Sequence, residues 1–186
     1  MEQQVRINDQ QIRYDVSYRD IKHPRLEFKT GDLLLVLPKN FENHEGLLQK
    51  HETWIYKRES LIKTALKESE KKKLKQRTDK EFRDLVHSYI ENVEETSNLQ
   101  INKLFFRRMK SKWGSLSHKK NLTLNTFLKY LPKTLLEYVI YHEMAHSIEK
   151  KHNERYWKTV SKTFPDHRRI EKDLLVYWFL VQKQVT

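Results

Sequence analysis

Apolar and polar residues alternate near the start of the chain. Ile12, Tyr14, Val16 and Tyr18 are each separated by one polar residue, the period-2 pattern of a half-buried strand. Asn8-Asp9-Gln10 before them reads as a turn. Leu26 and Phe28 precede Lys29-Thr30-Gly31-Asp32, a hairpin turn, and residues 33–37 form a following strand closed by Pro38. The period then changes. Over residues 43–76, apolar pairs recur at Leu47/Leu48, Trp54/Ile55, Leu61/Ile62 and Ala65/Leu66, one buried stripe of a long helix. Its tail, residues 68–77, is nearly all charged and reads as a solvated face or a break.

Thr78-Asp79-Lys80-Glu81 fits a capping box. The helix it opens carries Phe82, Leu85, Val86, Tyr89, Ile90 and Val93 and ends near Thr96-Ser97-Asn98. Residues 101–109 and 121–128 are β-like, with Ser117-His118-Lys119-Lys120 as a loop between short strands. Pro132 suits the first turn of a helix running to about Lys150. A further helix starts at Asn153, and a last one spans residues 170–181. No segment repeats. The fold class is α+β.

Composition refines this picture. Of 186 residues, 33% are charged and 37% hydrophobic, but 11% are aromatic, so the chain is a folded domain with a heavily solvated surface. The net charge of +12 favours anionic partners such as nucleic acid, nucleotides or an acidic protein surface. Lysine-rich solvated helix faces account for it equally well. The chain has no cysteine, which excludes disulfides and thiolate metal sites and leaves His, Asp and Glu as metal ligands. The N-terminus is polar and no apolar run approaches a membrane span, so no membrane role and a cytoplasmic location are expected. Residues 1–77 form an N-terminal β-hairpin region with a long helix, and residues 78–186 a metal-binding catalytic region, together one compact unit.

The chemistry lies in Tyr141-His142-Glu143-Met144-Ala145-His146. Histidines at i and i+4 share one helix face, so both imidazoles reach one ion. Glu143 stands beside the first ligand, where a carboxylate can take a proton from water. Two surface histidines on a helix would give the same five residues. Context favours a site, because the preceding turns are apolar and anchor the helix. A third histidine, His152, follows six residues after His146. A straight helix would place it about 240° away, so the helix must stop near Lys150 and the chain turn back, with Asn153 capping the next helix. Asp166 or Glu171 is the carboxylate alternative.

Two further features bear on substrate. Arg107, Arg108, Lys110 and Lys112 precede Trp113, an anion-binding strip or one polar strand face. Asn121, Thr123 and Asn125 give the strand at 121–128 a polar face, and such a strand beside a metal helix can pair with an extended substrate. Trp113 and Trp157 read as core or pocket wall, and Tyr141 as packing more than as an oxyanion donor. His23, His44, His51, His87, His118 and His167 lack ligand-like spacing.

The ordered run from Arg107 to Ser115, Asn121-Leu122-Thr123-Leu124-Asn125, Leu131-Pro132, the helix from Tyr138 to His146, His152-Asn153, Tyr156-Trp157 and Pro165-Asp166 resembles the YgjP-like metal-dependent hydrolase family, related to SprT and WLM metallopeptidase-like domains. The resemblance covers nearly the whole chain. It implies a zincin-like minimal fold: a small, mostly antiparallel sheet packed on the metal-binding helix, preceded by the N-terminal β-hairpin region and long helix. It implies one Zn2+ held by His142, His146 and His152, with Glu143 as catalytic base. Leu116 stands where relatives often carry Cys. Metzincins place Gly in the five-residue gap between the last two histidines, whereas here the gap is Ser-Ile-Glu-Lys-Lys, so the turn must be made differently.

The expected function is a zinc-dependent hydrolase of the metallopeptidase type acting on peptide. The alternatives are a nucleotide phosphoanhydride hydrolase, and a nucleic-acid-associated module with a non-catalytic zinc. Candidate substrate contacts are Arg107, Arg108, Lys110, Lys112, Trp113 and Asn125.

Overall fold

A computed structural model describes residues 3–29 and 31–185. The chain divides into two compact units, Met1–Glu70 and Lys71–Thr186.

The first unit holds strands β1 (Gln3–Ile7), β2 (Gln10–Arg19), β3 (Arg25–Lys29) and β4 (Asp32–Pro38) in the order β1-β2-β4-β3. The pairs β1/β2 and β3/β4 are antiparallel, and β2/β4 is parallel. Asn8 turns the first hairpin at φ 53°, a left-handed conformation that Asn tolerates. The expected second turn includes Thr30, which lies outside the described residues; its flanks pair Lys29 opposite Asp32. Ile12 and Tyr14 are buried as the alternation predicts, but Tyr18 is exposed where β2 runs out.

The helix expected over 43–76 is two helices, α1 (His44–Lys50) and α2 (Glu52–Ser69). His51 breaks it: its N–H reaches back to Leu48 and Gln49 carbonyls and tightens the last turn of α1. At the far end Ser69 Oγ donates to the Leu66 carbonyl, and no apolar stripe continues into the charged tail. Only one residue of some apolar pairs is buried: Ile55 and Ala65 are, while Trp54 and Leu66 are exposed. Ile12, Leu33, Leu35, Leu48 and Ile55 form this unit's own core.

The second unit begins with an extended segment, not a helix tail. Lys75 N–H donates to the Tyr130 carbonyl, and the Arg77 guanidinium donates to the Lys129 and Leu131 carbonyls. Helix α3 (Asp79–Thr96) opens with the predicted capping box. Strands β5 (Lys103–Arg107), β6 (Gly114–Leu116) and β7 (Asn121–Asn125) follow in the order β5-β7-β6. Where mostly antiparallel pairing was expected, β6/β7 is antiparallel and β5/β7 is parallel. The short β6 reverses into β7, which leaves β7 central and running the same way as β5. The run at 121–128 ends as a strand at Asn125, whose side chain accepts the Phe127 N–H and starts a 3-10 turn over Thr126–Tyr130.

Helices α4 (Lys133–Ala145), α5 (Glu154–Thr163) and α6 (His167–Val185) complete the unit. Helix α4 is buried nearly all round, by Leu135, Leu136, Tyr138, Val139, Ile140, Tyr141 and Met144, and the three-stranded sheet packs on it through β6 and β7. This central position makes it a rigid base for side chains at its C-terminus. No described helix is long and apolar enough to cross a membrane.

Candidate metal centre

His142 lies in the last turn of α4 and His146 is its C-cap. The helix therefore stops at Ala145, earlier than the Lys150 the spacing required. Ser147 N–H bonds to Met144 and Ile148 N–H to Ala145, i to i−3 contacts that wind the exit tightly. Side chains then turn the chain without glycine. His146 Nδ1 meets the Glu149 carbonyl at 3.0 Å, and Glu149 accepts the Lys151 N–H. Asn153 caps α5 by accepting the Tyr156 N–H. His152 is thereby brought back over the end of α4.

His152 Nε2 stands 3.2 Å from His142 Nε2 and 3.1 Å from His146 Nε2. Facing a carbonyl, His146 Nδ1 must carry the proton, so its Nε2 presents a lone pair. His152 Nε2 has at most one hydrogen and cannot satisfy two neighbours. A cation at the centre satisfies all three. Nitrogens bound at about 2.0–2.1 Å in tetrahedral array lie about 3.3 Å apart, close to the two distances from His152. Burial, then repulsion from His152, His146 and His167, lowers the His142 pKa to about 3. Burial, then His146, lowers that of His152. Neutral imidazole is the ligand form, and the three residues fit a divalent cation.

Aromatic rings fix the cluster. Tyr156 is fully buried, its centroid 4.7 Å from those of His146 and His152, and its hydroxyl donates to the His142 carbonyl at 2.9 Å. Trp157 lies tilted against His152 at 5.5 Å and against His167 at 4.8 Å. Tyr138 lies 5.6 Å from His142 and donates to Glu171. Glu171 is thus engaged in that bond, and the Asp166 carbonyl accepts N–H groups at the start of α6; neither carboxylate belongs to the histidine group. Tyr141 is buried against Phe164, a packing role. His142 Nδ1 is buried with no hydrogen-bond partner among the described residues, so packing orients that ring.

Glu143 lines a cleft of about 630 Å³ together with His146 and strand β6. Burial raises its pKa to about 7, against the pull of Lys112 and the Leu116 N–H. Gly114 makes room for it: a Cβ there would lie 2.8 Å from Glu143 Cγ and 3.2 Å from Oε1. Strand β6 is the sheet edge. Trp113 C=O and Ser117 N–H bond to β7, so by antiparallel alternation Gly114 and Leu116 turn their main-chain groups outward. The edge able to pair with a substrate is therefore β6, not the polar-faced strand at 121–128, which is central.

The basic strip is dispersed. Arg107 rests over Phe105 and Arg108 over Phe127, and Arg108 lines a separate cleft with Arg83 and Lys129. Lys110 is exposed and borders neither cleft. Only Lys112 of the four reaches the Glu143 cleft. Trp113 packs edge-on against Trp178, centroids 4.9 Å apart. Asn125, expected as a substrate contact, is fully buried, its amide donating to the Met109 and Lys112 carbonyls. Sequence reasoning missed Gly114 as the seat of Glu143 and Tyr156 as the support of the histidines. Trp-Gly-Ser and Tyr-Trp were visible as motif residues, but nothing in their spacing assigned these contacts.

A histidine pair and a glutamate on helix α4, a third histidine returned over its end and a small sheet packed on that helix are the parts a metallopeptidase domain needs. The chain belongs to the YgjP-like family: the family model "YgjP-like, metallopeptidase domain" matches residues 58–176. Two solved structures are similar to part of it. The Pyrococcus abyssi abylysin zymogen, a metallopeptidase, is 25% identical with a TM-score of 0.45, over 48% of this chain and 91% of that one. The Methanocaldococcus jannaschii jannalysin zymogen, also a metallopeptidase, is 26% identical with a TM-score of 0.42, over 59% and 100%. No curated protein matches.

Proposed function

We propose that this chain is a zinc-dependent peptidase, with one Zn2+ held by His142, His146 and His152 through Nε2 and Glu143 as general base. The observation that carries the reading is the approach of His152 Nε2 to those of His142 and His146, at 3.2 and 3.1 Å with all three within 4.8 Å of one another, beside a glutamate that borders an open cleft. Three protein ligands leave a coordination position free, as catalytic zinc requires and structural zinc does not. Zinc bound there supplies Lewis acidity, which polarises a scissile carbonyl and acidifies water. The Glu143 carboxylate takes the proton of the attacking water and delivers it to the leaving amide nitrogen. Gly114 and the Leu116 carbonyl offer outward main-chain groups along which an extended peptide can lie.

Metal content and cleavage of casein test this in three proteins. Wild type should hold one zinc and cleave. His146→Ala should lose both metal and activity, while Glu143→Gln keeps the metal and loses about 10²–10⁴ in rate. Undiminished stoichiometric metal in His146→Ala, or hydrolysis confined to nucleoside triphosphates, overturns the reading.

A further inference from the structure

The cleft in front of Glu143 has a one-sided charge. Its walls carry Lys112, Lys120, Lys150 and the imidazole of His118, and among the described residues the sole carboxylate lining it is Glu143 itself. All three lysines are exposed, and none is ion-paired among the described residues.

The backbone that carries each lysine is pinned. The Lys112 carbonyl accepts from the buried amide of Asn125 at 2.8 Å. Lys120 sits at φ 55° in the β6–β7 turn, its N–H on Ser117 and its carbonyl taking the Asn102 N–H. Lys150 follows Glu149, whose carbonyl meets His146 Nδ1. The Glu149 side chain accepts the Lys151 and Lys150 N–H groups and bonds to the Asn153 side chain, and it forms no ion pair with the Lys150 ammonium among the described residues. Three lysine-bearing backbone segments are thus held around one concave floor, where charge of one sign is focused. The same cleft is bordered by the open edge of β6, which supplies main-chain pairing to an extended chain and has no counterpart in a nucleotide.

We propose that this cleft selects polypeptide segments with Asp or Glu side chains flanking the bond presented to Glu143. The selection rests on the peptidase reading above, with Lys112, Lys120 and Lys150 as its specificity-determining residues.

Binding tests this apart from catalysis. Zinc-loaded Glu143→Gln protein is titrated with three fluorescent dodecapeptides of equal length: one rich in Asp and Glu, one neutral and one rich in Lys. The acidic peptide should bind about tenfold more tightly than the neutral one and the basic peptide most weakly, with the preference shrinking as salt rises. Adding Lys120→Glu and Lys150→Glu should abolish or invert that order while the thermal midpoint stays unchanged. Equal binding of acidic and neutral peptides overturns the proposal. So does an order that survives the double reversal, or a nucleoside triphosphate that binds more tightly than the acidic peptide and displaces it. Wild-type cleavage of the same peptides separates the two readings. The expected binding order without cleavage of any peptide refutes the peptidase and leaves the acidic-segment cleft standing. Equal kcat/KM on acidic and neutral peptides leaves the peptidase and removes the selection.

Discussion

Adding a single methyl group at Gly114 should disable the proposed general base while sparing the metal ligands. The three atoms nearest to a Cβ at this position all belong to Glu143, at 2.8 Å for Cγ, 3.2 Å for Oε1 and 3.3 Å for Cδ. Relaxed carbon–carbon contacts lie at about 3.5–4.0 Å, so Gly114→Ala must push the two groups apart by about 0.7–1.2 Å. Gly114 is in a strand paired with the central β7 and is itself buried, so the glutamate gives way. Misplacing a reacting group by about 1 Å costs on the order of 10²-fold in rate. Peptide cleavage by Gly114→Ala should therefore fall about 100-fold in kcat. Zinc stoichiometry, read by elemental analysis, should remain at one, and the thermal midpoint should shift little. A kcat within threefold of wild type refutes the steric reasoning. Loss of zinc together with activity refutes the assignment of the strain to Glu143 alone.

Other substitutions probe the supports of the site. Tyr156→Phe keeps the buried ring but removes the donor to the His142 carbonyl; zinc affinity should drop about tenfold and stability by about 1 kcal/mol, measured by chelator competition and urea unfolding. Asn125→Ala strands the Met109 and Lys112 carbonyls and the Phe127 N–H, and should cost about 2–4 kcal/mol in unfolding experiments; a change in KM at undiminished stability would instead restore Asn125 as a substrate contact. Hydrogen bonds from Thr78 hold the Glu81 carboxyl below its ordinary value of 4.5. The cap's contribution is then fully present above that pH and fades as pH falls through the lower folded value, so wild type and Glu81→Gln should differ in stability at pH 7 and converge in acid once Glu81 is protonated in the folded state. Thr78→Ala should cost about 1 kcal/mol at pH 7.

Several parts of this protein were determined by the sequence alone, because local periodicity and short spacing encode them. The strand at Ile12 and Tyr14, the capping box at Thr78, the apolar helix beneath His142 and His146, and the need for a turn before His152 all follow from residues a few positions apart. The chemistry is legible for the same reason, since ligands at i and i+4 are set by helix geometry. Other features depend on distant residues. Strand β6 has three residues, including one glycine and one serine, too few to show a period, yet pairing with β7 makes it the edge beside Glu143. Asn125 and Lys112 look alike as polar positions, but one is sealed beneath the 109–112 loop and the other opens into the cleft. The basic residues between Arg107 and Lys112 are close in the chain and dispersed in space, because a strand alternates its faces and the following loop turns. Lys120 and Lys150 joined Lys112 only through the β6–β7 turn and the exit from α4. Their common charge lies beyond any local pattern, because three separate segments meet around one cleft.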